Sequence, residues 1–541
     1  MKRRGFLGAA AGAAGALALA GCDAPPVPID GGFTGIDVAR GHAMRDGALR
    51  SGVPAVVKRT RVVIAGGGVA GLAAARALRL GGIDDFVLLE LEDTAGGNAR
   101  GGMVGGIACP LGAHYLPVPG NDAHEVQDLL EELGLRRRVA GRWAYDEAAL
   151  CHSPQERLFF QGAWQDGLLP VQGVGEATLA QYRRFAQRID ALQHAAHFAI
   201  PTLRVALTPD LLALDAIPFS SWLDREGFSD AHLRWYLEYS CRDDYGAGIA
   251  QVSAWAGIHY FASRHGFHAP GDPGVGANDT GMAPDHEDSG VLTWPEGNGW
   301  LTRQLARPLE ERLRTGQVVT RIADVRGGVE VDVWDTATQS IVRWQAERCI
   351  VALPVFIAAR VVDNPPEVLR HAAARIRYAP WLVANIHLRG PLADRVGAAP
   401  SWDNVIYGTQ GLGYVDARHQ SLDPTPRDTV LSWYRPLGPS AYDAADGRQR
   451  LLDRPWSGWR DELLAELSVP HPDLSSLATR IDITRYGHAM SIPHPGLLAQ
   501  IAAQRGAVVA GRLSFAHADW SGYSIFEEAF MRGHAAGSAL T

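Results

Sequence analysis

Arg61-Val-Val-Ile-Ala-Gly-Gly-Gly-Val-Ala-Gly-Leu-Ala-Ala-Ala-Arg76, followed by Phe86-Val-Leu-Leu-Glu90, decides the reading of this chain. Val62 to Ala65 is a short apolar run of the kind that forms a buried parallel strand. It breaks into Gly66-x-Gly68-x-x-Gly71, and an Ala/Leu-rich helical stretch follows at once. In such a turn Gly66 permits the tight reversal, Gly68 lets a pyrophosphate approach the backbone, and Gly71 lets the helix pack close to the strand. The helix N-terminus then presents unpaired N–H groups and partial positive charge to phosphate oxygens. Glu90 ends the next apolar strand nineteen residues after Gly71, where an acid holds an adenosine ribose hydroxyl. Strand, glycines, helix and acid stand in register, as they do not in a chance glycine pattern. The predicted fold class is α/β: a Rossmann-like dinucleotide domain interleaved with an α+β substrate domain.

Six residues after Glu90 comes a second Gly-rich turn, Gly96-Gly97-Asn98-Ala99-Arg100. Near the far end, Gly506-Ala-Val-Val-Ala-Gly511 reads as a short buried strand. It is followed by Asp519-Trp-Ser-Gly-Tyr-Ser524 and by Glu527-Glu-Ala-Phe-Met-Arg-Gly533. Together these segments resemble the FAD-dependent amine oxidase superfamily, which holds monoamine and polyamine oxidases, protoporphyrinogen oxidase and the carotenoid desaturases. The resemblance covers residues 60–120, 290–360 and 500–541 and is loose between them. It implies FAD, held noncovalently because no Cys stands near the C-terminal flavin segment. It assigns the first glycine turn, Glu90, Gly96, Gly97 and Arg100 to the dinucleotide. Gly112 is assigned through Leu111-Gly-Ala-His114-Tyr, and Val319 through Val318-Val-Thr-Arg-Ile. At the C-terminal end it assigns Gly511, Arg512, Ser524, Glu527 and Glu528. A helix opening at those two acids would aim its N-terminus at the flavin ring. Two positions depart from the family pattern: Asn98 stands where an Arg follows the glycine pair, and Arg512 where an acid follows the strand glycine.

The resemblance makes His114 and Tyr523 the candidate catalytic residues. His114 lies in a segment that borders the flavin in polyamine oxidases, and reads equally as a core histidine. Tyr523 reads either as one aromatic wall of an amine cage or as core packing at a helix start. Glu238, Asp243 and Asp244, in Leu237-Glu-Tyr-Ser-Cys-Arg-Asp-Asp-Tyr, would attract a polyamine or form a solvated loop. The reaction implied is hydride transfer from an amine or polyamine C–H to flavin N5, with protein groups orienting the substrate and excluding water. The alternatives are an FAD-dependent desaturase or isomerase of an isoprenoid or porphyrin-like substrate, and a flavin electron-transfer protein without turnover. Many relatives place a Lys beside N5, often linked to reaction with oxygen; this chain has only Lys2 and Lys58. That favours a dehydrogenase passing electrons to a respiratory acceptor. A second Gly-x-Gly-x-x-Gly unit is absent, which argues against a nicotinamide partner.

At 541 residues the chain exceeds one ordinary core. A net charge of −8 argues against a nucleic-acid partner and is compatible with cationic substrates. Lys2-Arg-Arg-Gly-Phe-Leu7 reads as a twin-arginine export signal, and Leu19-Ala-Gly-Cys22 as a lipobox with Cys22 the lipidated residue. The weakly apolar stretch between them is too short for a membrane span. Export through the Tat translocase suits a protein that folds around its cofactor first. The expected location is periplasmic, tethered to the inner membrane by N-terminal lipid only. The reading divides the chain into a signal (1–22), a tether (23–57), and FAD-binding portions at 58–121, 290–365 and 491–541. A helical substrate portion covers 122–289 and a sheet portion 366–490. No metal is expected, since His268 and His286 lack ligand spacing; they sit in a Gly/Pro/Asp-rich loop, 265–290, read as a lid. Four cysteines remain after Cys22, with no legible disulfide pairing.

Overall fold

The computed structural model describes residues 28–49, 52–264, 266–270, 290–423, 425, 427–443, 446–501 and 508–541. The export signal, Cys22 and most of the loop read as a lid, His286 included, lie outside them.

Two eight-stranded sheets organise the chain. In the first, Phe86–Leu89, Val56–Ala65 and Ser340–Val351 run parallel, flanked by the short strand Leu313–Arg314. Ser340–Val351 is shared between two partners on its other side. Its first half pairs antiparallel with Gly328–Asp335, and its last three residues pair parallel with Leu513–Phe515. The C-terminal segment thereby returns to the nucleotide sheet. The helix Val69–Leu80 lies directly against the last helix, Phe526–Ser538. Glycine makes that approach possible: a Cβ on Gly533 would fall 1.9 Å from the Ala70 carbonyl oxygen, and one on Gly537 2.5 Å from that of Ala74.

The second sheet runs Asp30–Phe33, Ala478–Ile492, Arg377–Leu388, Thr429–Pro436, Tyr414–Asp416, Asp403–Ile406, Glu156–Phe160 and Ala163–Asp166. One face carries a large apolar cluster with the helices Glu176–Ala195, Ala231–Tyr245 and Ala254–Ala262. Asp230 caps the second of these by accepting from the His232 and Leu233 N–H groups, and Ser253 caps the third. The opposite face packs on Trp456–Leu467 through Trp459, Leu463 and Leu467.

The sequence expectations need two corrections here. The stretch expected to be a tether is partly built into the body. Asp30–Phe33 is a parallel edge strand on Ala478–Ile492, and the helix Val38–Arg45 is tied down by Arg40 to Asp93 (2.7 Å) and to the Leu91 carbonyl. Its Gly/Pro content hid a strand too short to show a period. The portion expected to be helical also contributes two strands, Glu156–Phe160 and Ala163–Asp166, to the substrate sheet. Among the described residues, Cys109, Cys151, Cys241 and Cys349 are all free, and no helix is long and apolar enough to cross a membrane.

Candidate active site

The two glycine turns meet. Gly96 N–H donates to the Gly67 carbonyl (2.8 Å), Gly68 and Gly96 form a parallel bridge, and a Cβ on Gly97 would stand 3.1 Å from the Gly68 Cα. Gly68 caps the following helix with no side chain, so the first-turn N–H groups remain open to an anion. Glu90 is buried beneath them, accepting from Gly67 N–H (2.8 Å) and Glu92 N–H (2.9 Å); burial holds its carboxyl above the usual range. Desolvation wins there because two N–H donors leave part of the carboxylate's acceptor capacity unmet. Arg100 folds back under the second turn, donating to the Gly97 carbonyl (3.2 Å) with Glu92 at 3.7 Å, and so shapes the turn. Val319 lies on Gln317–Val325, a strand joined to this corner by Gln317 N–H to the Glu90 carbonyl (2.8 Å).

Gly112 brings the next segment in. A Cβ there would fall 2.1 Å from the Asn98 carbonyl oxygen, and Ala113 N–H donates to that same oxygen (2.9 Å). Asn298, which the sequence reading missed, closes this corner through Nδ2 to the Tyr115 carbonyl (2.7 Å) and N–H to the Ala113 carbonyl (3.0 Å). Tyr434 and Tyr486 hold the segment from the substrate sheet, donating to the Gly112 and Leu111 carbonyls (3.1 and 2.8 Å).

His114 and Tyr115 are only half-buried, so each keeps accessible surface among the surrounding rings. The His114 ring sits among Tyr434 (4.4 Å), Tyr115 (4.9 Å) and Trp402 (5.4 Å). Burial pushes its pKa down to about 3, so the imidazole is neutral at physiological pH. Beyond the rings stand three half-buried acids. Asp243 receives the Tyr115 hydroxyl at 3.5 Å, and Asp403 and Glu156 are side by side on paired parallel strands. Burial, and after it the neighbouring Asp244, pushes Asp243 up to about 7; burial and Glu156 push Asp403 well up. Asp403, Glu156, Trp402 and Tyr434 were not singled out from the sequence. They converge only through strand pairing across long separations.

Several expected site residues lie elsewhere. Gly511 (φ +60°) turns a hairpin between Val508–Ala510 and Leu513–Phe515; the latter pairs directly with Ser340–Val351, and the former reaches the nucleotide sheet only through it. Arg512 is bound to Asp324 through its N–H and guanidinium (both 2.9 Å), away from the glycine turns. The end of the joining strand is instead occupied by His517 and Asp519. The buried Asp519 carboxylate accepts from Val355 N–H (2.9 Å) and the Tyr378 hydroxyl (2.6 Å). Tyr523 is only 2% exposed, so its ring is core packing and not a cage wall. Its hydroxyl donates to Asp244 and accepts from Arg264 (2.8 Å), which draws it into the helical layer. Ser524 takes the Ser491 N–H (2.9 Å). Glu527 and Glu528 are buried at the start of the last helix, the first pushed up to about 7 by burial and the second accepting from Thr202 N–H. Of the three acids on the helix Ala231–Tyr245, Glu238 is spent on the Ile249 and Ala441 N–H groups and Asp244 on Arg264. Asp243 alone is only half-buried. Lys58 is in the first strand, over Trp344, at the end remote from the glycine turn.

A family profile described as flavin containing amine oxidoreductase matches residues 69–453, well over half of the chain. The chain belongs to that family. It is an FAD-dependent oxidoreductase of α/β fold. Solved structures agree on the fold. A putrescine oxidase bound to putrescine superposes with a TM-score of 0.66 at 17% identity, covering 90% of this chain and 99% of that one. Cyclohexylamine oxidase from Brevibacterium oxydans IH-35A gives 0.62 at 17%, covering 89% and 98%. A fatty acid isomerase from P. acnes gives 0.59 at 16%, covering 88% and 97%. No curated protein matches the chain by sequence.

The residues present fit FAD. Gly66, Gly67 and Gly71 have no room for a Cβ, the uncapped helix start suits a pyrophosphate, and the buried Glu90 carboxylate suits ribose hydroxyl donors.

Proposed function

We propose that this enzyme oxidises a diamine or polyamine. The observation that carries the reading is the gathering of Asp243, Asp403 and Glu156 beside the rings of His114, Tyr115, Trp402 and Tyr434, which we read as the two ends of the substrate cavity. When bound, FAD supplies the acceptor for the hydride leaving the substrate's C–H bond. Gly68, Gly96, Gly97 and the first turn of Val69–Leu80 would hold its pyrophosphate, and Glu90 its ribose. The rings exclude water and favour a cation over their faces. His114, whose imidazole burial keeps neutral and too weakly basic to take a proton from an ammonium, can orient the reacting amine, which binds there as the free base with the lone pair needed to expel hydride. The acids, giving up their protons as an ammonium group approaches, hold that far group and set the reacting carbon at a fixed distance from it.

The test is turnover by FAD-loaded protein with an artificial electron acceptor across putrescine, spermidine, butylamine and lipid extract. Putrescine or spermidine should far exceed butylamine. Turnover of lipid alone would instead favour a desaturase or isomerase, and none at all an electron-transfer role.

The same proposal places the enzyme in the periplasm, exported by the Tat translocase and tethered to the inner membrane through Cys22. The twin-arginine and lipobox segments support this. Scarcity of lysine supports a respiratory acceptor over oxygen. Cys22→Ser should release the protein from the membrane fraction; unchanged fractionation would refute the anchor.

A further inference from the structure

The strand pair that supplies Glu156 and Asp403 to the cavity turns Arg157 and Asn404 to the opposite face of the sheet, since side chains alternate along each strand. There Arg157 forms the floor of a cleft of about 330 Å³. It is 4% exposed, and its guanidinium donates to three neutral acceptors: Asn404 Oδ1 (2.6 Å), the Ala398 carbonyl (3.2 Å) and, weakly, the Tyr414 hydroxyl (3.5 Å). Trp164 covers one face at 4.0 Å. No carboxylate among the described residues pairs with it. Neutral acceptors satisfy N–H groups but do not neutralise a charge, and a buried unpaired guanidinium is costly. Beside it His471 is 2% exposed; its Nε2 meets the Tyr414 hydroxyl (2.8 Å), while its buried Nδ1 has no partner.

The other charges of the cleft are largely spent on one another. Arg395 pairs with Asp473, and Arg427 with Asp423 (3.2 Å). Asp416 caps the Arg418 N–H (2.9 Å) and takes the Thr429 hydroxyl. Asp394 also lines the cleft without reaching ion-pair distance of Arg157. Arg418 donates to the Asp428 carbonyl (3.1 Å) and stands 4.0 Å from Asp423, leaving it able to turn inward at the rim.

We propose that this cleft binds a small oxyanion, the carboxylate or phosphate group of a metabolite, with Arg157 as its buried counter-charge and Arg418 at the rim. An anion there supplies the charge that Arg157 lacks, through charge-assisted hydrogen bonds matched to a guanidinium. The site is behind the substrate cavity, on the reverse of its acid-bearing strands, and independent of which amine is oxidised.

Calorimetric titration of the FAD-loaded protein with inorganic phosphate and with citrate, at fixed ionic strength against chloride, tests this. Saturable one-to-one binding of one of them is expected, and which one binds tells the phosphate source from the carboxylate source. Arg157→Gln should weaken it by about tenfold or more, as loss of a charge-assisted contact does. Arg418→Gln at the accessible rim, which leaves the core untouched, should weaken it several-fold while flavin content stays unchanged. This second variant keeps the test decisive if the first does not fold. No saturable heat above chloride in the unaltered protein, or equal affinity in the folded variants, would overturn the proposal.

Discussion

Asp243 titrates where its charge matters. Burial, and after it Asp244, raises its carboxyl to about 7, so at neutral pH it is partly protonated and becomes a full anion only above that. If it holds the distal ammonium of the substrate, kcat/KM for putrescine should climb as pH rises through about 7. Asp243→Asn should flatten that component and raise KM about tenfold with a smaller change in kcat, as measured by steady-state kinetics from pH 5.5 to 9. Glu527 has a similar shift but a structural consequence. Its carboxyl, pushed from 4.5 to about 7 by burial, holds a proton in the folded protein that the unfolded chain releases. The stability supplied by that proton is complete below about 4.5 and is lost as pH rises through about 7. Glu527→Gln should therefore gain about 2–3 kcal/mol over the unaltered protein at pH 8 and little at pH 4.5, read from urea midpoints. His114 needs no such correction: held down to about 3, it stays neutral across this range.

The elements that were legible in the sequence are those whose chemistry is local. Gly66, Gly68, Gly71 and Glu90 announce themselves because a strand, a turn and a helix within thirty residues must each take one shape. The C-terminal strand was placed one hairpin arm too early. Val508–Ala510 is the more uniformly apolar arm, and only the pairing of Leu513–Phe515 with Cys349–Val351 tells which arm lies directly on the parallel strands. Tyr523 misled for the same kind of reason: its hydroxyl partners, Asp244 and Arg264, lie far off in sequence. The acids of the cavity are legible only through the register that puts Asp403 beside Glu156. At this scale the helix contact between Val69–Leu80 and Phe526–Ser538 makes its own prediction. Gly533→Val has no space against the Ala70 carbonyl. It should destabilise the protein by about 2–4 kcal/mol in thermal or urea unfolding, as overpacking does. Flavin should be lost along with the helix contact, since that contact backs the phosphate-binding turn.

Across the whole molecule, the nucleotide sheet gathers residues from both ends of the described chain, and the substrate sheet is filled in from its middle and from Asp30–Phe33. The segment carrying His114 lies at the junction, held to the second glycine turn by Ala113 and to the substrate sheet by Tyr434. This arrangement suits the proposed reaction, with the dinucleotide held at one end and an ammonium-bearing substrate at the other. Anaerobic titration of the FAD-loaded protein with spermidine, following flavin absorbance, joins those two halves in one reading. The account predicts stoichiometric bleaching by spermidine, little by butylamine at the same concentration, and weakened bleaching in Asp243→Asn. A flavin spectrum that spermidine and putrescine leave unchanged would contradict it.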